Sequence, residues 1–75
     1  MTIFSLINDA MYEQKEIVVE TKDHKFIIGV PHSLDEFDTD EERLGVSVWI
    51  DDTTVKMIFL DEIISVYTVS NKATA

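Results

Sequence analysis

Apolar positions Ile3, Leu6, Ile7 and Ala10 recur at helical spacing, and Phe4 and Met11 widen the stripe they form. The pattern predicts an amphipathic helix over residues 2–13, with Thr2 as its N-cap and Asn8 and Asp9 on its polar side. A helix of about three turns is marginal by itself. The stripe therefore has to dock on the rest of the chain.

From residue 16 the spacing changes. Ile17-Val18-Val19 and Phe26-Ile27-Ile28-Gly29-Val30 are rich in β-branched residues, and the polar stretch Thr21-Lys22-Asp23-His24-Lys25 between them reads as a hairpin connection. Asp23 and His24 tolerate positive φ better than most residue types. Gly29 inside a strand marks a bulge or a sharp bend, and Pro31 is expected to end that strand. Leu44, Val46, Val48 and Ile50 then alternate with Gly45, Ser47 and Trp49. After the turn Asp51-Asp52-Thr53-Thr54, Val55, Met57 and Phe59 alternate with Lys56, Ile58 and Leu60. Asp61-Glu62 breaks the chain before a last strand over 63–69, and residues 70–75 read as a flexible tail. Short connections make the strands antiparallel neighbours. The expected fold class is mainly β (α+β). It is a single domain, 1–75, with an N-terminal helix and a five-stranded, strongly bent sheet over 16–69 that closes into a small barrel and so removes its edges.

Two stretches carry a resemblance. Val18-Val19-Glu20-Thr21-Lys22-Asp23-His24-Lys25-Phe26-Ile27-Ile28-Gly29 is an apolar strand, a tight polar turn and a strand with a bending glycine. Met57-Ile58-Phe59-Leu60-Asp61-Glu62-Ile63-Ile64-Ser65-Val66 ends one strand in Leu-Asp-acid-Ile and starts a short final one. With its helix-then-strands order, the chain resembles the Sm-like group of small barrels (an SH3-like architecture), and the second stretch is also similar to YolD-like proteins. Sm-like RNA binders carry an Asp-to-Asn segment in the loop after the glycine strand and an Arg-Gly or Lys-Gly pair before the last strand. Here an acidic stretch and Asp61-Glu62 stand in those places. The resemblance thus implies the fold, and no RNA-binding residue carries over.

Charge changes the picture of partners. Fifteen acidic against six basic residues give a net charge of −9, which repels phosphate backbones and anionic lipid surfaces. Direct nucleic-acid binding is not expected, nor is a membrane span. The N-terminal residues lack a basic region and a small-residue cleavage site, so a cytoplasmic location is expected. Six of the eight residues over 35–42 are acidic (Asp35, Glu36, Asp38, Asp40, Glu41 and Glu42), and the stretch 33–43 reads as an acidic loop. Asp38, Asp40 and Glu42 start like a calcium loop, but Arg43 stands where glycine is needed and Trp49 where a bidentate glutamate is needed. The loop reads as a solvated charge run, as a rim that steers a basic partner, or as a weak cation site over Asp35 to Glu42.

Catalysis has no visible machinery. The chain has no cysteine, and His32, near Asp35, has only Ser33 beside it, without a strained elbow or an oxyanion turn. No cofactor is expected. Trp49 is the more informative residue, because the alternation of its strand turns it away from the core. Ile58 and Leu60 fall opposite Val55, Met57 and Phe59, so two strands carry apolar residues on both faces. Either the helix covers that outer face or another subunit does. The expected function is a non-catalytic protein-interaction or self-assembling module, a homo-oligomer or a partner-docking domain. It would use an apolar strip of Trp49, Ile58, Leu60 and Tyr67 with the acidic residues at its rim. The alternatives are an acidic phage or mobile-element inhibitor that competes for a nucleic-acid-binding protein, and a weak divalent-cation regulator.

Overall fold

The hydroxyl oxygen of Thr2 accepts the Ser5 N–H at 3.0 Å and caps α1 (Ile3–Glu13), where the spacing places the helix. The structure, a computed structural model, describes residues 1–38 and 43–75. Gln14 closes the helix in the left-handed region at φ 57°, and the Lys15 N–H reaches back to the Ala10 carbonyl at 2.8 Å. Leu6, Ile7 and Ala10 are buried, so the positions at helical spacing form the docking face, while Phe4 stays outside it at 48% exposure.

The strands follow as β1 (Ile17–Thr21), β2 (Phe26–Asp38), β3 (Arg43–Trp49), β4 (Val55–Phe59), β5 (Ile63–Tyr67) and β6 (Lys72–Thr74), with a 3-10 turn at Leu60–Glu62. They form one antiparallel sheet in the order β4-β3-β2-β1-β5-β6. His24 sits at φ 63° in the β1–β2 turn, one of the two residues whose chemistry suits that region.

β2 is the organising strand. Over 26–29 it pairs with β1, and over 30–38 it pairs with β3, so it changes partner between Gly29 and Val30. A straight strand of thirteen residues would run about 40 Å. The whole molecule is 35 Å in its longest dimension, so β2 has to bend. Gly29 allows the bend: a Cβ there would collide with the Trp49 carbonyl oxygen and lie 2.7 Å from Val48 Cγ1. The bend folds the β2-β3-β4 half over the β6-β5-β1-β2 half. Val46 and Val48 from one half meet Ile17, Val19, Ile63 and Val66 from the other, and α1 adds Leu6 and Ile7.

Four expectations need correction. Pro31 does not end its strand, because it lies beside a register shift, where a missing N–H is tolerated. The acidic stretch is consequently not a loop over 33–43. Asp35, Glu36 and Asp38 belong to β2 and pair with Gly45, Leu44 and Arg43, while Asp40, Glu41 and Glu42 lie outside the described residues. The C-terminal tail is a sixth strand, because Ala73 is small enough to be buried opposite Val66 and so ties 72–74 to β5. Finally, the sheet is open. β4 and β6 are its outer strands, so the edges that a closed barrel would remove are present.

Gly29→Ala is expected to lower stability by at least about 2 kcal/mol, since the added methyl meets backbone that cannot rotate away. Chemical denaturation of the two forms measures this. An unchanged midpoint would mean that β2 and β3 do not approach so closely in solution.

Candidate interaction surface

The structure does not assemble the expected apolar strip. Val46 faces the core, and its cross-strand partner is Ile58, so this register turns Ile58 inward to 4% exposure. Leu60 packs against the core from the 3-10 turn. Tyr67 lies on β5 opposite Val18, in the other half of the fold, with the Lys72 ammonium 5.1 Å from its ring centre. Only Trp49 keeps its expected place on the outer face. Its ring meets His32 edge-on with centroids 5.8 Å apart, and the C-terminal end of α1 approaches through Met11 and Gln14. The helix and the surface thus share Trp49, which remains 38% exposed.

What surrounds Trp49 on β4 is a different set from the predicted one. Trp49 pairs with Val55, and Met57 follows two positions along the same face; these two are 44% and 41% exposed. They stand on an outer strand. The Ile50 N–H donates to the Thr54 carbonyl at 3.0 Å, one step beyond the Trp49–Val55 pair. Antiparallel ladders alternate bonded and non-bonded pairs. Lys56 and Ile58 therefore spend their backbone groups on Val48 and Val46, and Val55 and Met57 turn theirs to the free side. The edge thus offers backbone donors and acceptors beside two exposed apolar side chains.

The far end of this edge is clamped. The guanidinium of Arg43 lies 3.7 Å from the centre of the Phe59 ring, donates to Asp61 at 2.9 and 2.8 Å, and reaches Glu62 at 3.2 Å. The hydrogen bonds from Arg43 hold the Asp61 carboxyl below the usual aspartate range, and Asp61 in turn raises the Arg43 pKa. Turn chemistry alone does not explain Asp61-Glu62, since both acids grip the start of β3.

A cavity of about 360 Å³ runs beside the same edge, between β4 and the β1–β2 turn. Consecutive residues Lys56, Met57 and Ile58 line it, so it touches both faces of β4 and reaches the edge itself. Ile27 lies opposite, with Lys22 and Lys25 from the turn. Three of the six basic residues of a −9 chain therefore meet in one cavity. Its two acids are already engaged. Asp23 accepts from the Thr21 hydroxyl, which lowers its pKa, and lies 3.7 Å from Lys25, while Glu62 is bound by Arg43. Among the described residues, neither Lys22 nor Lys56 has a hydrogen bond or ion pair from its side chain. Sequence patterning could not reveal this cluster, because Lys56 on β4 joins the turn lysines Lys22 and Lys25 from more than thirty residues away.

Among the described residues, no three His, Cys, Asp or Glu side chains converge as metal ligands would, and no helix is long and apolar enough to cross a membrane.

Arg43→Gln is expected to raise the Asp61 pKa toward its ordinary value of about 3.9. A depressed carboxylate pKa contributes stability above its unfolded value, and that contribution is lost as pH falls through the folded value. The wild type should therefore lose stability more steeply below about pH 4 than Arg43→Gln does, with Asp23 and Asp51 supplying the slope that remains. Carboxyl carbon shifts across an acid titration check both points. Identical Asp61 curves in the two forms would remove the clamp.

Comparison with protein-family models, with curated proteins and with solved structures gave no match for this chain.

Proposed function

We propose that this chain is a non-catalytic protein-interaction module that takes an extended segment of a partner onto the free edge of β4. The observation that carries the reading is the unpaired ladder side of Val55 and Met57, with both side chains exposed next to Trp49. Strand addition uses this combination: main-chain hydrogen bonds supply affinity, and side chains on alternate faces supply specificity. β6 is a poorer candidate, since it spans only Lys72–Thr74.

Size bounds the affinity. β4 has five residues, so one added strand buries far less than the roughly 1,200 Å² of a standard interface. Val55 and Met57 are already more than half covered, which leaves about 1 kcal/mol of burial for each. The edge alone thus suits an exchangeable contact with a Kd on the order of 0.1 mM, which further surface of a partner would tighten.

The succession of a helix, β1 to β4, a short 3-10 turn and β5, with β2 bent at Gly29, supports placing the chain near the Sm-like barrels. The open sheet and the sixth strand are its departures from that plan. The absence of cysteine supports a cytoplasmic setting.

Titration of isotope-labelled protein with a short peptide alternating valine and threonine tests the reading. The amide signals of Val55 and Met57 should shift, and those of β6 should stay. A proline in the middle of the peptide should abolish the effect, because it removes a ladder donor. Unmoved β4 amides at millimolar peptide would sink the proposal.

A further inference from the structure

The cavity beside β4 specifies what the added strand must carry. We infer that the β4 edge selects a segment whose inward-facing side chain is a carboxylate, received by Lys22, Lys25 and Lys56. The inference rests on strand addition at β4 and adds the chemistry of the partner.

The geometry follows from pairing. A strand added at this edge lies about 4.8 Å from β4, and its side chains alternate between the two faces. On the outer face they meet Val55 and Met57, so apolar residues fit there. On the inner face they enter the volume between β4 and the β1–β2 turn. That volume is the cavity, whose walls combine Ile27 and Ile58 with the three lysines. A glutamate projected there packs its methylenes on the isoleucines and brings its carboxylate to ammonium groups. Glu62 is held by Arg43, and Asp23 is shared between Thr21 and Lys25, so Lys22 and Lys56 are the ammonium groups least engaged among the described residues, with Lys25 adding its charge beside them.

Lys56 decides among occupants. It pairs with Val48, whose side chain is fully buried, so it stands on the core-facing side of an edge strand. An inward charge at an edge discourages pairing with neutral or like-charged strands. A second copy offering its own β4 would bring another Lys56 and no acid into a cavity that already holds three lysines. The same residue that rejects self-pairing attracts an acidic segment. The net charge of −9 does not cancel this preference, because screening confines it to within about 8 Å at physiological salt.

The test compares short peptides that alternate valine with glutamate, glutamine or lysine, each titrated into labelled wild-type protein and into the Lys22→Gln, Lys25→Gln, Lys56→Gln triple variant. All three lysines are surface residues, so the variant should fold, and unchanged core amide signals verify that. At physiological salt the glutamate peptide should bind about tenfold more tightly than the glutamine one, and the lysine peptide most weakly. The preference should shrink with added salt and disappear in the triple variant. Equal binding of the glutamate and glutamine peptides, or a preference that survives in the triple variant, overturns the inference and leaves strand addition standing. If no peptide moves the Val55 and Met57 amides, strand addition itself fails, and this inference with it.

Discussion

The closeness of Gly29 to the Trp49 carbonyl governs this molecule. A small chain has little surface to bury, so its two half-sheets must face each other at short range. One continuous strand serves both halves, and it can do so only by bending where no side chain intervenes. The bend sets the β2–β3 register, and that register assigns every residue of β3 to core or surface. β4 inherits its faces from β3 in turn, with Ile58 inward opposite Val46 and Val55 outward opposite Trp49. The exposed edge of β4 is thus a distant consequence of one missing methyl group.

The charges follow a division of labour that the net value conceals. The single arginine clamps a corner, stacking on Phe59 while it binds Asp61 and Glu62. This engages two carboxylates near the lysines, although Lys22 still feels the charge of Asp61. Among the described residues, Lys22 and Lys56 form no ion pair beside the open edge. An acidic protein thereby presents a locally basic groove. Net charge governs what approaches from beyond a Debye length, and the groove governs what fits once contact is made.

Much of the fold was legible in the sequence. The helical spacing of Ile3, Leu6, Ile7 and Ala10 identified both the helix and its buried face. Alternation found β3 and β4, and Gly29 was recognisable as a bending point. Two elements were misread for local reasons. Pro31 and the acidic residues Asp35, Glu36 and Asp38 resemble loop chemistry, yet β2 continues through them to Asp38, because β3 supplies a partner that composition cannot indicate. Lys72–Thr74 looks like a frayed end, and only the place of Ala73 against the core makes it a strand. Of the surface residues expected in the apolar strip, Trp49 lies on the outer face, while Ile58 is buried in the core.

The sequence by itself determined the element types, the docking face of the helix, the negative charge and the outward direction of Trp49. Each of these depends on residues within a few positions of one another. Tertiary structure decided the strand register, the openness of the sheet, the Arg43 clamp and the meeting of Lys22, Lys25 and Lys56. These depend on pairs far apart in the chain, such as Arg43 with Asp61, eighteen residues away. Periodicity fixes which residues share a face; which face becomes the core is settled only when another strand arrives beside it.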